Sequence, residues 1–308
     1  MALAIRVLKT SVVTGEDGTL ALTSASAVPA GAVLVLIGTG LYSDASAAAP
    51  YLSSVADTST NTWETPINVR AAGSSNPQVF AALAHNVAAA TPTVTATFTQ
   101  SVTGNKFSAA LLEITGAPTA SALETSVNAT ATSGTSITTA ETGALSQAAN
   151  ALVACFGGWI GNPTNPTGWS SALTQNNGVN LGCQISYKTI NDAASRTETF
   201  TTDAIAGGAI LMLVIKQAAT SALRYKFALN TTTFTSADTG VTGFVWSNAT
   251  PDTGTAQKFT GLAGSATAGD LIIDTDLPAD ISLSDTIYGI FYNGTDTSGL
   301  IAGTVEAT

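Results

Sequence analysis

"TPTVTATFTQ", residues 91–100, alternates with period two: Val94, Ala96 and Phe98 fall on one side, and Thr93, Thr95, Thr97 and Thr99 on the other. A helix would scatter those apolar residues around its axis, whereas a strand puts them all on one face. β-branched threonine suits the opposite face, where it covers a pleated surface without charge. The stretch therefore predicts a half-buried strand whose outer side is clad in hydroxyls. Alternation or strand-length apolar runs recur at Leu3–Val13, Ala32–Gly38, Val79–Val87, Lys106–Thr115, Ser136–Thr142, Ala151–Trp159, Leu181–Ile190, Glu198–Thr202 and Ala209–Lys216, bounded by Gly, Pro, Asn and Ser. Helical periodicity is nearly absent, and no repeat of fixed period is visible. Strands at intervals of roughly 10–20 residues with turn signals between them predict an all-β fold, a jelly-roll or immunoglobulin-like antiparallel β-sandwich.

The pattern breaks at "QAATSA", 217–222, which follows the strongest apolar strand and holds no aromatic or large aliphatic residue. A fresh alternation follows, "LRYKFALN", with Leu223, Tyr225, Phe227 and Leu229 on one face. Further strands are expected at Gly243–Ser247, Gln257–Leu262, Asp270–Asp274, Thr286–Tyr292 and Leu300–Val305. The chain thus divides into a large β-sandwich domain over 1–217, a linker over 218–222 and a second, smaller immunoglobulin-like β-sandwich domain over 223–308.

Composition narrows the function. The 308 residues are 45% hydrophobic, yet only 10% are charged, well under the usual quarter. Thr, Ser, Asn and Gly supply the polarity instead. Catalysis and colloidal solubility both draw on ionisable groups, so this balance favours a protein that covers itself by assembly. Ten basic residues against twenty acidic give a net charge of −10, and the Lys and Arg are scattered singly. That argues against nucleic acid as a partner. The longest apolar runs, "AVLVLIG" at 32–38 and "AILMLVI" at 209–215, are strand-sized and far short of a membrane span of about 20 residues. The N-terminus lacks a continuous apolar stretch before its acidic turn, so no secretory signal is expected. Cys155 and Cys183 both fall on strand alternations and read as small buried hydrophobes, with a disulfide as the alternative.

The order "NTWETP…VFAALAHNVAAATPTVTATFTQ…FSAALLEITGAP…ATSGTSITTAETGAL…NALVACFGGW…CQISYKTI…TETFTTD…GGAILMLVIKQ" resembles a β-sandwich module carried by many tailed-phage virion proteins and some bacterial surface proteins. In that module a strand ending "NV" precedes a Thr/Val strand and then a strand ending in Glu, an apolar residue, any residue and Gly. Asn86–Val87, Val94–Phe98 and Glu113–Gly116 fill those places. The C-terminal run from "GVTGFVWSNATPDTG" to "YNGTDTSG" is similar to small β-domains attached to phage structural proteins. The resemblance implies a non-enzymatic accessory protein of a virion, assembled in the host cytoplasm and released by lysis, with the major capsid or neck protein as its partner. A receptor- or glycan-binding adhesin on a tail or fibre is the alternative.

Chemistry has few footholds. His85 is the single histidine, with Val79, Leu83 and Val87 in its strand alternation, and reads as a packed or rim residue. No G-x-S-x-G elbow accompanies it. One histidine and two separated cysteines do not make a zinc site of the usual ligands, and "DTDLPAD" (274–280) and "NGTDTSG" (293–299) read as solvated turns rather than calcium loops. Glu64, Glu113, Glu124, Glu141 and Glu198 give no sign in their spacing of the paired carboxylates of a glycosidase. "AGGA" and "FGGW" lie in or before strands, not at helix N-termini, so no phosphate cradle is indicated. The four N-x-T triplets at Asn128, Asn230, Asn248 and Asn293 are what a Thr-rich chain yields. No cofactor or metal is expected, and the chain is read as a non-enzyme.

One loop stands out. "CFGGWIGNPTNPTGW", 155–169, carries Trp159 and Trp169 at the ends of a turn containing Asn162 and Asn165. These four residues are the candidate contacts, either plugging the loop against a sheet edge or interface, or stacking on a glycan. Strand faces of Thr, Ser and Ala also lack the Lys and Glu that guard exposed sheets, which predicts a homo-oligomer, dimer or trimer, or binding to a symmetric shell.

Overall fold

The computed structural model describes residues 2–14, 18–41, 52–71, 78–99, 106–176, 182–218, 223–228, 239–246, 257–263, 270–274, 286–295 and 297–307. Most of the expected linker (219–222), Leu229, Asn230, Asn248 and the acidic run beyond Asp274 lie outside the described residues. Among the described residues there is no helix, and every strand pairing given below is antiparallel. The chain forms two compact units, Met1–Ala219 and Thr220–Thr308.

In the first unit the strands run β1 (Ala4–Thr14), β2 (Thr19–Thr23), β3 (Val33–Leu41), β4 (Leu52–Asp57), β5 (Ile67–Arg70), β6 (Gln78–Ala84), β7 (Thr93–Phe98), β8 (Lys106–Thr115), β9 (Leu123–Ala131), β10 (Gly134–Thr138), β11 (Ala149–Ile160), β12 (Pro163–Thr164), β13 (Ser170–Asn176), β14 (Gly182–Asn191) and β15 (Thr199–Lys216). They build a five-stranded sheet, β1-β8-β3-β6-β5, a three-stranded sheet, β2-β7-β4, and a seven-stranded sheet, β10-β15-β11-β14-β13, to which β9 and β12 add along β15. The five- and seven-stranded sheets face each other across the main core. Val33, Val35, Ile37, Val79, Ala81, Leu83 and Leu112 from one meet Val153, Cys155, Ile185, Leu211, Leu213 and Ile215 from the other. This is a β-sandwich whose sheets come close where Gly157 abuts Thr39: a Cβ at Gly157 would lie 2.5 Å from the Thr39 Cβ.

Both outer faces of this sandwich are buried as well, which explains the continuous apolar runs. On β3, Val33, Val35 and Ile37 point into the main core while Leu34 and Leu36 point the other way. There the three-stranded sheet covers them with Leu20, Leu22, Val94, Ala96 and Phe98. Phe98 stacks on Phe107 at 4.2 Å and meets Phe80 edge-on at 5.2 Å. Gly38 makes room for this cluster, since a Cβ there would sit 2.7 Å from the Phe80 ring and 2.6 Å from the Ser108 carbonyl. On β15, Leu211, Leu213 and Ile215 face the main core, while Ile210, Met212 and Val214 enter a third core with Phe156, Trp169 and Phe200.

β15 is longer than expected. Glu198–Thr202 and Ala209–Lys216, read as separate strands, are one strand of 18 residues. Trp159 pairs with Gly207 and Ile160 with Ile205, so Ala206 is an extra residue, a β-bulge. Beyond it Thr199–Ile205 pairs with β10 and β12, bringing Phe200 and Ile205 into the third core. The strand expected over Val79–Val87 ends at Ala84, because Asn86 takes a left-handed backbone (φ 49°) that stops it. The strand expected over Ser136–Thr142 ends at Thr138. Cys155 and Cys183 are buried and unbridged on adjacent strands.

The second unit holds β16 (Leu223–Ala228), β17 (Thr239–Trp246), β18 (Gln257–Ala263), β19 (Asp270–Asp274), β20 (Ile287–Tyr292) and β21 (Ile301–Ala307) in one six-stranded sheet, β18-β17-β20-β21-β16-β19. Its buried face carries Phe227, Val241, Val245, Ile287, Phe291 and Val305. The Phe227 and Phe291 rings meet edge-on at 4.8 Å. Bare Gly289 lies under them: a Cβ there would be 2.8 Å from the Phe291 ring.

Candidate functional site

The loop between Ile160 and Trp169 is clamped to its own sheet at both ends, and its two tryptophans have different fates. Trp169 is only 6% exposed and packs edge-on against Phe200 at 5.6 Å. Its indole N–H donates to Glu198 Oε2 at 3.2 Å, and the Lys188 ammonium lies 4.5 Å from its ring centroid while pairing with Glu198 Oε1 at 2.5 Å. Asn165 locks the turn. Its amide donates to the Trp169 carbonyl at 2.6 Å, and its Oδ1 accepts from Ser186 Oγ at 2.7 Å and from Gln184 Nε2 at 3.1 Å. Gln184 is fully buried, and its remaining bonds run to Ser171, Ser186, Thr174 and the Ile185 carbonyl. A buried amide with both ends engaged fixes its neighbours. Asn165 and Trp169 therefore sit in the loop's anchoring.

Trp159 and Asn162 are brought together elsewhere. Trp159 has the strand parity of Cys155 and Gly157 but lies past the point where Thr39 meets the sheet, and it is partly exposed. It lines an open cleft of about 360 Å³ with Ile160, Gly161, Asn162, Asn176, Asp203 and the bulge residues around Ala206. The Asp203 carboxylate accepts the Asn162 backbone N–H at 2.7 Å and the Asn162 side-chain amide at 2.6 Å. The Asn176 amide in turn donates to Asn162 Oδ1. Gly161 makes this geometry possible, since a Cβ there would fall 1.5 Å from Asp203 Oδ1. The side-chain bond from Asn162, with the backbone bond beside it, holds the Asp203 carboxyl below the usual carboxylate range. The cleft thus sets a flat indole beside an anchored carboxylate and two oriented amides. Asp203 and Asn176 were not anticipated from sequence; the "IAGG" after Asp203 was the one local hint of irregular strand.

The other candidate groups pair off separately. His85 Nε2 meets Glu64 Oε1 at 2.5 Å, and Glu113 pairs with Arg6, which also donates to the Ala27 carbonyl. Glu124 accepts from the Ser146 N–H and hydroxyl at 2.8 and 2.7 Å and lies 3.5 Å from Lys216, while Glu198 serves Trp169 and Lys188. Among the described residues no group of three His, Cys, Asp or Glu side chains could hold a metal ion.

Two sheet faces are notable for what they show to solvent. On β2-β7-β4 the outward rows are Thr19–Thr97–Ser54, Ala21–Thr95–Ala56 and the pair Thr23–Thr93, whose hydroxyls bond at 3.0 Å. In the second unit, Phe244 is 43% and Tyr292 46% exposed, with Ile290 directly opposite Phe244 in the register. Compared with known proteins, the chain matches no family model, and no curated protein and no solved structure gives a significant match.

Proposed function

We propose that the chain is a non-enzymatic structural protein of a phage virion, which decorates or reinforces the capsid or its neck through β-sandwich contacts. The observation that carries this reading is the outward face of β2-β7-β4, built from Thr, Ser and Ala with no charged side chain in its three rows. Removing a hydroxyl from water costs far less than removing a charge, so such a face suits repeated contact with a shell or with another copy. The exposed Phe244 and Tyr292 add the aromatic surface that interfaces favour. The low overall charge and the resemblance in strand order to tailed-phage modules support the same reading. An adhesin role is the second reading, and the cleft at Trp159 is the observation that favours it.

Contacts of this kind hold through apolar and hydroxyl surface, and salt screens exposed ion pairs first. Purified protein is therefore expected to co-sediment with particles, and to stay bound in molar salt. No association, or release by salt alone, would refute the proposal.

A further inference from the structure

We propose that the cleft formed by Trp159, Asn162, Asn176 and Asp203 is a binding subsite for a neutral, hydroxyl-rich saccharide. The inference goes beyond the structural role above and uses a different face of the first unit. Three features of the fold build the cleft. Trp159 pairs with Gly207 at the edge of the bulge, so the residue opposite it on β15 carries no side chain. Gly161 leaves the Asp203 carboxylate room to lie against the loop backbone. The chain of bonds from Asn176 to Asn162 to Asp203 then holds three planar polar groups in place before any ligand arrives. Such preorganisation spares the ligand the cost of ordering them.

A pyranose presents an apolar C–H face and an equatorial rim of hydroxyls. A partly exposed indole offers the flat apolar partner, and the rim meets a carboxylate whose Oδ2 takes only the Asn162 amide and keeps acceptor capacity, while Oδ1 takes the Asn162 N–H and the Thr202 hydroxyl. A volume of about 360 Å³ stands at the small end of ligand sites, which run from about 300 to 1,000 Å³. That matches one or two sugar rings. Asp203 also sets the selectivity. Its bonds from Asn162 keep it anionic through the neutral range, so uronic acids meet a like charge at the rim while neutral hexoses do not. Trp169 belongs to no such site, because its ring is sealed against Phe200.

The test is a titration of the full-length ¹⁵N-labelled protein with D-glucose, D-galactose, D-mannose, N-acetylglucosamine and D-glucuronate, followed at the Trp159 indole N–H with saturation transfer to the sugar. At least one neutral sugar should bind, with glucuronate at least tenfold weaker. Trp159→Ala should abolish binding, Trp159→Phe should retain part of it, and Asp203→Asn should erase the preference against glucuronate. Trp159→Phe and Asn176→Ala carry the test if Trp159→Ala does not fold. No binding by any neutral sugar, or binding undiminished in a folded Trp159→Ala or Asn176→Ala protein, overturns the proposal. Equal binding of glucuronate overturns the role given to Asp203. None of these outcomes bears on association with particles, so the two readings fail separately.

Discussion

Replacing Trp169 with alanine removes a ring that is 94% withdrawn from water, packed on Phe200 and lying under the Lys188 ammonium. Truncating a buried aromatic of this kind costs about 3–5 kcal/mol, from lost transfer energy and the cavity left behind. Glu198 keeps Lys188 as partner, so no orphaned charge adds to that figure. In a unit of this size each kcal/mol lowers the melting temperature by about 2–4 °C, so the first unit should melt about 6–20 °C lower. Trp159→Ala removes a ring already partly in solvent, and should cost no more than about 1.5 kcal/mol, a fraction of full burial. Differential scanning calorimetry of the full chain and both variants measures the contrast, with the first unit's transition as readout. Equal losses in the two variants, or a larger loss for Trp159, would refute the division of the loop into an anchored end and an open one.

Three further outcomes follow from the packing and the titrating groups. Gly157→Ala forces a methyl group against Thr39 where the two large sheets meet, and should destabilise the first unit by about 1–3 kcal/mol in urea unfolding. Burial, reinforced by the neighbouring Cys183 thiol, pushes the Cys155 thiol well above its ordinary range. Its contribution to stability is whole below the unfolded pKa of about 8.5 and is lost as pH rises beyond it. Both thiols should ignore Ellman's reagent in the native protein and react in denaturant. Asp203 titrates in the opposite sense: its folded pKa is depressed, so the link to Asn162 persists above the unfolded value of about 3.9 and fails only as pH falls through the lower folded value. Amide shifts of Asn162 should stay constant from pH 8 to 5 and move only in stronger acid.

Much of the fold is legible in alternation alone. "TPTVTATFTQ" became β7 with Val94, Ala96 and Phe98 buried, and Lys106–Thr115 is β8 as expected. What alternation does not reveal is how many layers cover a strand. "AVLVLIG" and "AILMLVI" read as core strands, but a run apolar on both faces needs a partner on each side, and β2 ("TLALT") and β4 ("LSSVAD"), which help cover the outer face of "AVLVLIG", are too short to announce themselves as that partner. Strand length is a second limit. The alternation reads as two strands, Glu198–Thr202 and Ala209–Lys216, whereas Gly207 and Gly208 stand beside a bulge inside one strand. Of the site, Trp159 and Asn162 were visible because they are neighbours in sequence. Asp203 stands 41 residues from Asn162, and Asn176 stands 14 away, so only the folded sheet brings them together.

The most direct measurement is quantitative mass spectrometry of gradient-purified phage particles from a culture that produces the chain. The proposed structural role requires the chain in those particles at a fixed stoichiometric ratio to the major capsid or neck protein, retained after a molar-salt wash. Its absence from particles, or a trace amount that varies between preparations and washes away, would contradict it.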